Sequence, residues 1–384
     1  MQRRVILRRR ALAIAAALAA TVLIWLLLIR DGSQDGSSEL VLTAAKVSSE
    51  TRNLLATLSP DQKASQLVLG AIAPAAGAAP GIGGVLIGRS AWPGANDAPK
   101  LIAGLHDAGG PVPPLIAAHQ EGGSYRQLAD LPPEEREIAI GDLGDTDLAG
   151  RWGEETSAAL AAAGFDLNLA PVADVATLDS PIADRAFSDD TAVVTAMTTA
   201  ALRGCRRGGV ACAPGHFPGL GAASDDTDSD PATVSLDGAT LAGRDLVPFE
   251  TAIDRGVPAI VVSHAFYAAY DPVTPASQSP PILDGLLRGE LGFEGAAITD
   301  DLEAGAIRAR SRVDEAAVAA VAAGADMVQI SDPAAVPAAV QALTAAAGAG
   351  TISGQRLDDA AGRVLELKRK LGLFGGGANG RAAR

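Results

Sequence analysis

The sequence predicts an α/β protein, a (β/α)₈ barrel of the triosephosphate-isomerase type, preceded by one N-terminal transmembrane helix. Three observations predict it. First, short and almost continuously apolar runs alternate with Ala-rich helical stretches from about residue 60 to residue 370, as parallel strands covered by helices on both faces should. Second, Glu121, Arg185, His216, His264 and Asp300 each fall at or just after the C-terminal end of a different run, and a barrel gathers such ends at one mouth. Third, residues 11–29 carry no charge and are bounded by Arg8, Arg9 and Arg10 on one side and Arg30 on the other. A chain of 384 residues is long enough for one large barrel. A doubly wound dinucleotide-binding sheet would need its Gly-rich turn after the first strand, whereas Gly81-Ile82-Gly83-Gly84 comes before one.

The 19 residues of 11–29 would span about 28 Å as a helix, close to the thickness of the hydrocarbon layer. With arginines before the segment and Asp31-Gly32-Ser33 after it, the N-terminus is expected in the cytoplasm and the rest outside, as a single-pass cell-membrane protein. A cleaved signal peptide is the alternative, but Leu26-Leu27-Leu28-Ile29-Arg30 lacks a small-x-small site and no Cys stands near for lipid attachment. Residues 1–30 hold six arginines and no acid, which leaves 25 basic against 45 acidic residues in the remainder. So acidic a body is a poor binder of phosphate backbones, and 3% aromatic residues offer little surface for stacking bases, so no nucleic-acid partner is expected.

Polar, Ser-rich residues 31–54 read as a flexible stalk. Ser59 followed by Pro60 reads as the N-cap and first position of a helix, so the folded body is placed at 55–374, with a disordered tail over 375–384. Strands are expected at 84–88, 114–119, 165–173, 210–217, 259–264, 296–301 and 327–330. Helices are expected at 96–108, 145–163, 190–206, 238–255, 281–291, 312–323, 336–347 and 355–371. The two cysteines, Cys205 and Cys212, form either a disulfide or two small buried apolar groups; with no clustered His they cannot make a zinc site.

Chemistry concentrates in a few places. Ile298-Thr299-Asp300-Asp301 is an apolar strand ending in two acids, which is costly in a core and sensible at a barrel mouth, although the pair could simply cap the helix that follows. Arg185 could fork onto substrate oxygens or form a salt bridge, and His264 could face substrate or be a satisfied core histidine. The D-x-D-x-D run from Asp226 to Asp230 is similar to the start of a calcium loop, but Pro231 and Asp237 stand where that loop needs Gly and Glu, so no metal and no cofactor are expected.

Several segments, in order, resemble glycoside hydrolase family 3, in particular the single-domain β-N-acetylhexosaminidases of bacterial cell-wall turnover. They are GGVLIG (83–88), LIAAHQEGG (115–123), GFDLNLAPVADV (164–175), DRAFSDD (184–190), GHFPGLG (215–221), VVSHAFYAAYDP (261–272), GFEGAAITDDLEAGAI (292–307) and GADMVQI (324–330). LELKRKLGLF (365–374) resembles the closing helix of that family. The resemblance implies a barrel that hydrolyses β-linked sugars with retention and without cofactor, using a carboxylate nucleophile and a proton donor. It makes Asp300 the nucleophile and puts Arg185, His216, His264, Glu121 and His119 at the sugar.

The departures from the family pattern fall at the site itself. His119 stands where the family has Asp before Gln-Glu-Gly-Gly, and Gln127 stands where an Arg is expected, with Arg126 adjacent. Gly215 replaces a Lys, and the Asp-x-His pair of the family's proton donor reads Asp226-Thr227-Asp228. Asp228, or else Asp226, could still donate a proton if burial or neighbouring acids raised its pKa. Two functions therefore stand: an exported glycosidase acting on cell-wall glycan, or a degenerate barrel that binds glycan or a protein partner.

Overall fold

The computed structural model describes residues 45–73, 81–109 and 112–375, all within one compact unit, Thr43–Arg384. The expected anchor at 11–29, residues 31–44 of the expected stalk and tail residues 376–384 lie outside the described residues. Among those described, no helix is long and apolar enough to cross a membrane.

The described residues form ten strands: β1 (Val68–Ala71), β2 (Gly84–Leu86), β3 (Leu115–Ala118), β4 (Leu167–Asn168), β5 (Ala211–Cys212), β6 (Thr233–Val234), β7 (Ala259–Val262), β8 (Phe266–Tyr267), β9 (Ala296–Asp301) and β10 (Met327–Ile330). Eight of them make one parallel sheet in the order β5-β4-β3-β2-β1-β10-β9-β7. The sheet curls until its two edges meet just past β5, where Phe217 N donates to Val261 O and Ser263 N to Phe217 O, both at 2.9 Å. The result is a nearly closed eight-stranded barrel, as the alternation of apolar runs implied. Strands β6 and β8 form a separate two-stranded patch.

The outer layer comprises α1 (Ser49–Thr57), α2 (Pro60–Gln66), α3 (Ala98–Ala108), α4 (Glu137–Leu143), α5 (Thr146–Ala163), α6 (Thr191–Gly208), α7 (Gly238–Gly243), α8 (Val247–Asp254), α9 (Gly305–Arg308), α10 (Val313–Ala323), α11 (Val336–Ala349) and α12 (Gly354–Lys370), with a π-helical turn over Pro281–Glu290. Local chemistry fixes their ends. Ser59 caps α2 as expected: its Oγ accepts from Gln62 N, while Gln62 Oε1 accepts from Ser59 N. Asp145 and Asp190 cap α5 and α6, which stop at Gly164 and Gly209 in the left-handed region, at φ 100° and 94°. Small residues let α5 and α6 approach closely; a Cβ on Gly204 would lie 2.1 Å from Gly150 O. The Ala-rich composition thus serves tight helix packing.

Several expectations need correction. Residues 49–54, read as the end of a stalk, belong to α1, which docks on α12: Thr51 is fully buried and its Oγ1 donates to Glu366 Oε2 at 2.6 Å, joined there by Ser48 N and Oγ. Their serines are a helix cap and a polar contact, not linker composition. Strand β1 was missed because only Leu67 separates it from α2. The single helix expected over 238–255 is two, broken at residues 244–246 ahead of Pro248. Cys205 and Cys212 are bridged, with Cα atoms 6.1 Å apart, which ties the end of α6 to β5.

Candidate active site

The C-terminal ends of the strands surround a cavity of about 390 Å³, lined among others by His119, Glu121, Gln127, Arg185, Asp228, Asp300 and Gln329. Each arrives on a different element. Beyond β3, buried Gln120 fixes the loop that follows: its amide donates to Leu128 O, Leu131 O and Pro132 O and accepts from Leu128 N. The residues either side, His119 and Glu121, are thereby held at the mouth.

Glu121 and Arg185 form a bidentate pair, Nε to Oε2 and Nη2 to Oε1, both at 2.9 Å. Burial raises the Glu121 pKa, but the Arg185 charge and hydrogen bonds outweigh it and hold the carboxyl below its usual value. His216 stands behind this pair, not in the cavity wall. Its Nδ1 lies 2.7 Å from Asp174 Oδ2, and its Nε2 lies 3.3 Å from Arg185 Nη2 and 3.8 Å from Asp300 Oδ2. Burial disfavours its charged form, yet Asp174 more than reverses this and raises the ring to about 9. At neutral pH His216 is therefore an imidazolium with Nδ1–H on Asp174 and Nε2–H facing the Asp300 side. Its approach to Arg185 is then two cations held among Asp174, Glu121 and Asp300, not a hydrogen bond.

Asp300 ends β9 and is 7% exposed. Its Oδ1 accepts from Asp301 N at 2.8 Å, and it makes no shorter contact to a cation than the 3.8 Å one to His216. Burial pushes the carboxyl up; His216, followed by His264, His119 and Arg185, overcomes this and holds it at about 2. Asp300 is therefore ionised at neutral and mildly acidic pH.

Asp228 reaches the same cavity from the loop between β5 and β6. Much of the residue is exposed, but its carboxyl lines the cavity, and loss of water there, followed by the negative charge of Asp300, raises it to about 6. Loss of water raises both carboxyls, but the cations outweigh it only at Asp300, so the two titrate apart, low at Asp300 and high at Asp228, as a nucleophile and an acid in one site must.

The remaining expected residues are sorted by the structure. His119 Nε2 lies 3.0 Å from Gln329 Oε1, so that ring nitrogen donates to the amide oxygen. His264 is fully buried behind the site, with Nε2 on Asp301 O and Nδ1 on Ser277 Oγ, and burial depresses its pKa; it supports the Asp300-Asp301 backbone and does not line the cavity. Asp226 is also outside the cavity lining and instead accepts the backbone N–H of Asp228 at 3.0 Å. Arg126 turns away: its Nη1 donates to Leu131 O and its side chain lines a different cavity, while Gln127 faces the site. Asp174, which orients His216, was not singled out from the sequence, though Val172-Ala173-Asp174 repeats the pattern of an apolar run ending in an acid that marked Asp300. Among the described residues, no group of three or more His, Cys, Asp or Glu is arranged to hold a metal ion.

Comparison with known proteins gives the family. The model of the glycosyl hydrolase family 3 N-terminal domain matches residues 61–367. A Stenotrophomonas maltophilia beta-hexosaminidase is 34% identical over 309 residues, covering 78% of this chain and 86% of the relative. Among solved structures, a Beutenbergia cavernae beta-N-acetylhexosaminidase is similar at a TM-score of 0.72 and 33% identity, over 82% of this chain and 99% of that one. A family 3 beta-N-acetylglucosaminidase from a Paenibacillus species is similar at 0.77 and 32% identity over 85% of this chain, which spans 65% of that protein's length. The chain belongs to glycosyl hydrolase family 3, whose members are hydrolases acting on glycosyl bonds.

Proposed function

We propose that this chain is an exported glycosidase that hydrolyses β-linked N-acetylglucosaminides of cell-wall glycan with retention of configuration. The observation that carries the mechanism is the opposed titration of Asp300 and Asp228 in one cavity. Asp300, through Oδ2, attacks the anomeric carbon as the glycosidic C–O bond breaks, and Asp228 gives its proton to the leaving oxygen. Asp228 then takes a proton from water as the water oxygen displaces Asp300 from the anomeric carbon. Arg185, held by Glu121, and His119, held by Gln329, present polar atoms to the sugar hydroxyls. The sugar class rests on the names of the relatives. The alternative of a degenerate binding barrel is less favoured, because such a barrel has no reason to keep two carboxyls so far apart in pKa.

A mechanism-based 2-deoxy-2-fluoro glucoside, in which fluorine replaces the 2-acetamido group, or a 5-fluoro N-acetylglucosaminyl fluoride that keeps it, tests this reading. It should add one sugar mass to the peptide containing Asp300, and labelling of any other carboxyl would remove Asp300 from the role. The location is proposed on the Arg-flanked apolar segment at 11–29 and on the Cys205–Cys212 disulfide, which suits an oxidising compartment. Full-length protein should stay with the membrane fraction with its barrel open to external protease; a soluble form beginning after residue 30 would replace the anchor with a cleaved signal.

A further inference from the structure

The loop that carries Asp228 is pinned to the segment that carries Asp300, and the pin is made at one glycine. The loop neck is closed by Ser224 N to Thr233 O at 3.1 Å and by Thr233 N to Ser224 Oγ at 3.0 Å. Inside it, Asp226 Oδ1 accepts from Asp228 N, and Asp226 O accepts from Ser229 N and Asp230 N. Two further bonds leave the loop: Gly305 N donates to Asp228 O at 2.9 Å, and Ala306 N donates to Thr227 O at 3.1 Å. Thr227 is 1% exposed beneath them.

Gly305 stands five residues after Asp300, across a turn closed by Ala304 N on Asp301 O and Glu303 N on Asp301 Oδ1. A Cβ on Gly305 would lie 1.8 Å from Ser229 O and 2.3 Å from Ser229 C, and these are main-chain atoms that cannot rotate aside. The missing side chain is what lets the loop lie against α9. Asp228, Ser229 and Asp230 are exposed, so the loop is held by these bonds and by buried Thr227 rather than by apolar packing of its tip.

We infer that Gly305 is a positioning residue for the proton donor: its bare Cα and its N–H, with the N–H of Ala306, fix the Asp228 loop over Asp300. A single stretch of chain then sets both carboxyls in register, and the donor is in place before substrate arrives. This rests on Asp228 being the acid.

The test is Gly305→Ala, assayed on an alkyl β-N-acetylglucosaminide, whose leaving oxygen needs a proton, and on the 4-nitrophenyl glycoside, whose leaving group does not. A displacement of about 1 Å in a reacting group can cost roughly 10²-fold. We expect kcat/KM to fall by about that factor on the alkyl substrate, with loss of the fall in activity as pH rises through about 6. The aryl kcat/KM, which reports only the step in which the leaving group departs and not the later attack of water that also uses Asp228, should be little changed and shows that the barrel is folded. In an Asp228→Asn background, Gly305→Ala should cost the alkyl reaction nothing more. Ala306→Pro, which deletes the other donor at a first-turn position where the helix does not use it, should show the same selective loss and serves if Gly305→Ala does not fold. The inference is overturned if either variant keeps the alkyl activity and its pH limb, or if the loss is equal on both substrates and persists in the Asp228→Asn background. Should Asp228→Asn alone leave alkyl turnover intact, the acid assignment itself fails and takes the inference with it; a damaging Asp228→Asn beside a harmless Gly305→Ala defeats the inference alone.

Discussion

Two buried aspartates at opposite ends of the barrel, Asp300 and Asp326, look alike by burial and charge and differ in what surrounds them. Asp326 precedes β10 at the N-terminal end of the strands and is fully buried. Its carboxylate accepts from Ala297 N at 2.9 Å and from the guanidinium groups of Arg288, Arg356 and Arg363. Asp300 ends β9 at the mouth, accepts one backbone hydrogen bond and faces a cavity. In both, burial pushes the pKa up and cations outweigh it, His216 first at Asp300 and Arg288 first at Asp326. A buried charge whose hydrogen-bonding capacity is filled holds the fold together; one left partly unfilled beside open space can take up a new bond. Capacity left open, not burial or pKa, separates the two.

Exchanging the carboxylates for amides should separate the two roles by the largest margin. Asp300→Asn is expected to cost roughly 10⁴-fold or more in kcat, as removal of a nucleophile does, with an unfolding free energy near that of the parent because few bonds are lost. Asp326→Asn should do the reverse: kcat little changed in whatever folds, but stability lower by about 3–5 kcal/mol, because three guanidinium groups lose the buried carboxylate they share. Steady-state kinetics and denaturant unfolding of both variants measure this. A stable Asp326→Asn, or an active Asp300→Asn, would break the contrast.

The same contrast explains what was legible in the sequence. The barrel was visible because buried parallel strands are written as uninterrupted apolar runs, and Asp300 because two acids at the end of such a run have few explanations. Asp174 and Asp326 also adjoin apolar runs, yet the sequence does not say that one orients an imidazolium and the other sits at the closed pole; those roles come from partners 42 and 30 to 38 residues away in the chain. For His264 the sequence allows both a sugar contact and a satisfied core residue, because a strand end can point a side chain behind the mouth as readily as into it; Asp226 stands as the second candidate proton donor, and only the fold puts its carboxylate on the Asp228 N–H. Strand β1 was hidden because an apolar run with no turn before it reads as the end of the preceding helix. Asp228 marks the other limit: the replacement of His by Asp is plain in the sequence, whereas the burial and the Asp300 charge that raise it to about 6 exist only in the folded chain.

Arg126 and Gln127 carry the argument down to adjacent residues and to the smallest effect. The resemblance, which expects an Arg at position 127, makes the adjacent Arg126 the candidate sugar ligand, since a fork of donors suits hydroxyl groups. The backbone decides otherwise. Gln127 N donates to His119 O at 3.2 Å, which holds that residue against the mouth, whereas the Arg126 guanidinium is spent on Leu131 O on the other side of the segment. Arg126→Ala should therefore change kcat/KM by no more than about 0.5 kcal/mol, roughly twofold. Gln127→Ala should raise KM by about fivefold, the worth of one neutral hydrogen bond near 1 kcal/mol, with kcat nearly unchanged if the contact is equal in ground and transition states. A larger effect at Arg126 than at Gln127, measured on the same substrate, would mean that the loop turns over when sugar binds and that the guanidinium exchanges Leu131 O for a substrate hydroxyl.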